Sequence, residues 1–355
     1  MAKFQGFLAA VEAQARFCQE NGSPFTARVL RLCADDVGRG GPVGVLAEPW
    51  ASAEFKRVVD DAAALRLAGA LHFMVLSGAA PDLAALYPPS HGAADDATLI
   101  TAIRAVVVRR GPDLIAFLRS PPQTNEVMRS FALLPGFLTI IRETGGLPLT
   151  TLEIGASAGL NANWSRYRYE AGGWSWGDPA SPVTLKGEWR GSPPLTAPAV
   201  PVEAFGADVA PVDVRDPEQA LRLQAYVWPD QGERLARLKA AIAMKRDDDA
   251  PPERADAAAW TAENLHPRPG RAVVLYHSIM WQYLPPATQA ATRAAIEAAG
   301  ARATADAPLF HLRMEPDWST GVHVTEVRLT AWPGGEERLI ARSHPHGAWL
   351  EALEG

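Results

Sequence analysis

Cysteine is nearly absent: Cys18 and Cys33 are the only two in 355 residues. Two thiols build no disulfide framework, and their spacing gives no C-x-x-C metal knuckle. Such a chain suits a reducing compartment, here read as the cytoplasm. An excess of basic charge is also lacking. The formal net charge of −6 argues against broad contact with a phosphate backbone, so nucleic acid is not an expected partner. No apolar run reaches the ~20 residues of a membrane span. The N-terminal stretch carries Glu12 and Arg16 among its apolar residues, which reads as an amphipathic helix and not as a signal peptide. Missing too is any convincing period-two strand before residue 148.

What fills those first residues is helical periodicity. Phe4, Phe7, Leu8, Val11 and Cys18 share one helical face, and Asn21-Gly22-Ser23-Pro24 ends that helix. Glu54 to Leu76 predicts a second helix. A third runs through Leu99, Ile103, Val106, Val107, Leu114 and Phe117, bent near Gly111-Pro112. Glu126 to Thr144 predicts a fourth, interrupted at Pro135-Gly136. The length favours two domains. The expected division is an all-helical cap over residues 1–146 and an α/β domain over 147–355.

Two polar features interrupt the helical half. His72 stands in an apolar helix, where a core histidine with a satisfied hydrogen bond is the default. Gln123-Thr124-Asn125-Glu126 clusters hydrogen-bonding side chains at a helix mouth. These residues suit helix capping. Gln123, Asn125 and Glu126 are also candidates to grip polar groups of a substrate.

The stretch Leu152-Glu153-Ile154-Gly155-Ala156-Ser157-Ala158-Gly159-Leu160-Asn161 organises the rest. A short apolar strand leads into a glycine loop and a helix start. Such a turn aims backbone N–H groups at a ligand. Two chemistries use it: nucleotide-type cofactor binding, and the G-x-S-x-G nucleophile elbow with Ser157 as nucleophile. The glycine spacing does not choose between them.

Downstream, strands and helices alternate. Residues 164–199 are rich in aromatics and turns, and Gly172-Gly173 suggests a β-hairpin insertion. Trp174 and Trp176 fit either a substrate wall or a small satellite core. Val200 to Val209 reads as a second strand ending at Asp208, where an acid can grip a ribose diol. Its distance from Glu153 far exceeds the usual ~20 residues, and the insertion accounts for the excess. Asp256 sits at the end of a third strand. Ala272 to Tyr276 is an apolar, buried strand running into His277, Ser278, Trp281 and Tyr283. Ala287 to Ala299 is a helix, Pro308 to Met314 a strand, and Val322 to Ala341 a hairpin.

This layout resembles the class I S-adenosylmethionine-dependent methyltransferases, with a Rossmann-like seven-stranded sheet of order 3-2-1-4-5-7-6. Over nearly the whole chain the sequence is similar to a bacterial family known only as a domain of unknown function. The similar blocks are Gln123 to Glu126, Glu153 to Asn161, Trp176-Gly177-Asp178-Pro179, and His277-Ser278 with Tyr283-Leu284. The resemblance implies S-adenosylmethionine as cofactor. It implies Glu153 near the methionine amino group, the loop of Gly155, Ser157 and Gly159 under the cofactor, Asp208 on the ribose and Asp256 near the adenine amino group. It implies a methyl-transfer site after the fourth strand, with His277 as candidate base and Tyr283 as its helper. The acidic net charge and the aromatic wall favour a small molecule or a protein over nucleic acid as the acceptor.

Two other classes stay open. An α/β-hydrolase would use Ser157 with His311, His323 or His344, but the chain shows helices where that fold has strands, and no H-G-G-G segment. A catalytically inactive nucleotide-ligand-binding protein would keep the loop without the chemistry. His344-Pro345-His346 lacks a third ligand at a recognisable spacing, so no metal site is expected.

Overall fold

The structure is a computed structural model that describes residues 2–89, 94–248, 250–317 and 324–353. Contacts divide the chain into two units, Met1–Thr124 with Asp216–Lys239, and Asn125–Arg215 with Ala240–Gly355.

The first unit is helical. Gln5–Glu20 buries Phe7, Val11, Ala15 and Cys18, the face read from the sequence. The stretch from Glu54 breaks into Phe55–Asp60 and Ala63–Leu76, because Ala62 takes a left-handed conformation (φ 51°). Asp96–Leu118 is kinked as expected: Arg110 leaves helical geometry just before Gly111-Pro112. The core also receives Ala225, Tyr226 and Trp228 from the second segment of this unit. Cys18 and Cys33 are buried in it, and desolvation pushes their thiols up to about 11 and about 12. His72 is buried as a core histidine, its Nδ1 3.2 Å from the Ala225 carbonyl oxygen.

The second unit is built on strands. They are β1 (Leu149–Ile154), β2 (Arg168–Ala171), β3 (Trp174–Trp176), β4 (Thr184–Lys186), β5 (Glu188–Gly191), β6 (Val202–Asp208), β7 (Glu253–Arg254), β8 (Ala272–Ser278), β9 (Leu309–Asp317), β10 (Val324–Trp332), β11 (Glu336–Ser343) and β12 (Trp349–Ala352). Nine of them form one mostly parallel sheet, ordered β5-β12-β11-β10-β9-β8-β1-β6-β7. β1 and β8 are buried along their whole length, as central strands covered on both faces must be.

This corrects the expected seven-stranded order. The run β7-β6-β1-β8-β9 matches the first five places, but the last two are exchanged. β10 pairs directly and antiparallel with β9, from Leu309↔Trp332 to Asp317↔Val324, so nothing inserts between them. β5 and β12 then extend the sheet. The aromatic insertion does contain the hairpin turning at Gly172-Gly173, pairing Ala171 with Trp174. Yet it also supplies β5 to the far edge of the main sheet, so it is more than a hairpin.

Residues 125–146, expected in the helical cap, belong to the sheet unit. The helix Arg129–Glu143 is buried over twelve consecutive residues from Ser130 to Ile141 and packs on β9 to β12. Pro135 does not interrupt it. Gly136 sits against Leu312 so closely that a Cβ there would overlap that side chain.

Candidate functional site

The chain leaves β1, crosses to β6 and β7 on one side, and returns to β8 and β9 on the other. In open α/β sheets such a reversal leaves a crevice at the carboxyl ends of the two strands. The loop after β1 stands there. Gly155 and Gly159 take φ of 67° and 69°, which a side chain resists. A Cβ on Gly155 would lie 2.8 Å from the Met280 Cγ, and one on Gly159 3.1 Å from the Pro252 Cγ. Ser157 also has positive φ, 53°. It is buried, and its Oγ has no hydrogen-bond partner among the described residues.

Asp208, at the end of β6, holds this loop. Its Oδ2 accepts the Ser157 N–H at 2.8 Å, and its Oδ1 accepts the Ala210 N–H at 2.8 Å. Asn125 secures the other end, its Oδ1 accepting the Leu160 N–H at 2.9 Å. Ser130 donates to Asn161 Oδ1 at 2.8 Å. Glu126 is buried and accepts the Met128 N–H at 3.1 Å. Gln123 falls in the first unit. Asp256 caps the helix Ala257–Asn264 and is exposed.

Glu153 is buried where β1 meets β8. Its Oε2 accepts the Tyr276 hydroxyl at 3.1 Å. Burial pushes its carboxyl up to about 8; the Tyr276 hydrogen bond and the charges of Lys245 and Arg129 pull the other way. Arg129 also donates to the Ser278 carbonyl at 3.1 Å.

Strand alternation separates this group from His277. Tyr276 faces Glu153 and the Phe137 ring, so its neighbour His277 points to the opposite face. There His277 Nδ1 lies 2.6 Å from Glu315 Oε1, and its Nε2 lies 3.0 Å from the Nε2 of His311. Glu315 Oε1 also accepts the N–H groups of Met280 and Trp281 at 3.1 and 3.3 Å. The Trp281 ring stacks on His277. The short segment after β8 thus touches both groups, Met280 covering Gly155 and Trp281 covering His277. Tyr283, two residues on, is 76% exposed.

Trp176 is buried, stacks on Trp164 and donates its indole N–H to the Ala197 carbonyl at 3.0 Å. Trp164 in turn stacks on Phe137 with ring centres 3.9 Å apart. Trp174 packs on Trp189. These rings are tied into packing, as a satellite core would be.

Sequence reasoning passed over Glu315, Tyr276 and Lys245, and named His311 only as a hydrolase option. The alternation of β9 could have found part of this, since His311, Arg313 and Glu315 fall on one face at period two. His323 lies outside the described residues. Nδ1 of His344 accepts the His346 N–H at 3.1 Å, a local turn. Among the described residues, no three His, Cys, Asp or Glu side chains are disposed to hold a metal ion. No helix of the described residues is long and apolar enough to cross a membrane.

Residues 9–352 match the model of a family described as uncharacterized protein conserved in bacteria (DUF2332), and the chain belongs to that family. No curated protein and no solved structure matches it.

Proposed function

We propose that this DUF2332 protein is a cytoplasmic S-adenosylmethionine-dependent methyltransferase acting on a small molecule or a protein. The observation that carries the reading is the reversal of strand order at β1 and β8, with the Gly155–Gly159 loop at its mouth and Asp208 beside it. The buried, unpaired Cys18 and Cys33 agree with a reducing setting.

The residues present fit the cofactor. Ser157 Oγ is an unused donor. Each Asp208 oxygen accepts one loop N–H and keeps a lone pair for a ribose hydroxyl. Glu153 would meet the amino group, the backbone of Gly155, Ser157 and Gly159 would line the methionine and ribose, and Asp256 would serve the adenine amino group. The bound cofactor supplies a methyl group on a sulfonium, open to attack by an acceptor. The chain's own part is to bind and align. An ammonium arriving at Glu153 would draw the proton off a carboxyl that burial otherwise keeps neutral near pH 7.

Titration calorimetry of the full-length protein with S-adenosylmethionine and S-adenosylhomocysteine tests this reading. Binding of either, weakened in Asp208→Ala, supports it. No heat from either at millimolar concentration overturns it.

A second reading, the serine hydrolase, is favoured by the positive φ and buried, unpartnered Oγ of Ser157. It lacks a base: no described side chain bonds that oxygen, and His277 and His311 occupy the other face. A fluorophosphonate probe decides. Covalent labelling at Ser157 would move the assignment to a hydrolase, since only an activated serine reacts.

A further inference from the structure

On the sheet face opposite Glu153, a cavity of about 640 Å³ opens beside the helix Pro286–Gly300. Histidines form one wall, His277 on β8 and His311 on β9. The indoles of Trp281 and Trp332 form others. We propose that this cavity binds a planar aromatic ligand with an ionisable hydroxyl, and that a Glu315–His277–His311 chain takes up the hydroxyl proton. The proposal does not rest on the cofactor reading, and its test uses no cofactor.

With both rings neutral, the hydrogen bonds imply the starting tautomers. Glu315 Oε1 accepts from His277 Nδ1–H, so the neutral His277 ring offers Nε2 as an acceptor. The 3.0 Å contact then needs a proton on His311 Nε2. That leaves His311 Nδ1 as the acceptor nitrogen on a residue that lines the cavity. When a ligand O–H bond breaks, its proton goes to His311 Nδ1. The Nε2 proton of His311 passes to His277 Nε2. The products are a bound phenolate, a neutral His311 with its other nitrogen protonated, and a His277 imidazolium held by Glu315.

Three observations favour that end point. Positive charge on His311 itself is disfavoured by its packed surroundings and by the neighbouring His277 and Arg313, which hold its basicity well below the ordinary histidine value. Glu315 is about nine-tenths buried, and its Oε2 has no hydrogen-bond partner among the described residues. A carboxylate so far from water gains from a full positive charge on the ring it bonds. Trp281 and Trp332 supply the cavity's aromatic side chains, with the His277 ring stacked on Trp281 and the Arg293 guanidinium 5.7 Å from its ring centre.

Charged groups of both signs surround His311. Arg313 on β9 pairs with Glu337 on β11 at 2.8 Å. Arg293 and Glu297, four residues apart on the helix, contribute one charge of each sign. β10 supplies only the uncharged Thr330 and Trp332 to the lining. The His311→Leu variant, which keeps Arg293 and Arg313, separates acidification by the histidine chain from acidification by these cations.

The test uses 4-nitrophenol, whose phenolate absorbs visible light while the phenol does not, and 4-nitroanisole, its methyl ether without a proton. Both are titrated into the full-length protein, with binding read from tryptophan fluorescence. Both should bind saturably, and bound 4-nitrophenol should ionise with roughly tenfold greater acidity than in solution, about one pH unit. His311→Leu should abolish that shift while 4-nitroanisole still binds saturably, because the apolar walls remain. Glu315→Gln should remove most of the shift. Absence of saturable binding, a bound dye no more acidic than the free one, or a shift that survives in His311→Leu each overturns the proposal. The wild-type spectrum alone can overturn it if neither variant folds.

Discussion

Tyr276 donates its hydroxyl to Glu153 across the β1–β8 junction at 3.1 Å, and both side chains are buried. One hydrogen bond does not replace the water that a carboxylate loses in such a place, so the neutral acid is favoured.

The sign of the resulting pH effect is opposite to that of a salt-bridged acid. The folded Glu153 holds its proton up to about 8, whereas the unfolded residue releases it near 4.5. Between those values the native state binds more protons, so stability falls as pH rises. Glu153→Gln should flatten the urea-unfolding stability profile over that window. The wild-type loss relative to the variant should approach about 1.4 kcal/mol per pH unit where the difference is full. A variant whose profile parallels the wild type would show that Glu153 is ionised in the fold.

His72 predicts the reverse trend. Burial holds its imidazole down to about 4, from 6.5. The unfolded state therefore binds the extra proton between those values, and stability is lost as pH falls from 6.5 towards 4. His72→Phe should lose this acid sensitivity, whatever its absolute stability. Equal slopes for the two proteins in chemical denaturation between pH 4 and 7 would contradict it.

Asp208 should matter to the loop even without a ligand. Removing its carboxylate deletes the hydrogen bonds it accepts from the Ser157 and Ala210 N–H groups. Asp208→Ala should cost about 1.5–3 kcal/mol of stability, and hydrogen exchange at Ser157 should accelerate. Unchanged exchange there would mean that the loop holds its shape by other contacts. If S-adenosylmethionine binds, affinity should fall in the same variant.

The stack of Phe137, Trp164 and Trp176 predicts a structural penalty, because it joins the insertion to the helix Arg129–Glu143. Trp164→Ala should cost about 3–5 kcal/mol, the range for emptying a large core site. Thermal denaturation checks it. A change below about 1 kcal/mol would show that the neighbouring rings close the gap.

Much of the scaffold was legible because it follows from local rules. The face of Phe7, Val11 and Cys18, the kink before Gly111-Pro112, the burial of His72 and the turn at Gly172-Gly173 are set by periodicity or by backbone restriction at a few residues. So is the glycine loop, whose positive φ values need glycine at 155 and 159. Tertiary structure decided the rest. Pairing of β10 directly with β9, and of β5 with β12, depends on which sheet edges meet, and no spacing encodes that. The same holds for the candidate site. Sequence placed Tyr276 and His277 together as neighbours; the pleat of a buried strand put one against Glu153 and the other against His311 and Glu315. A chain neighbour is shared by both faces of a sheet, so only the packing above and below it determines which chemistry each side chain joins.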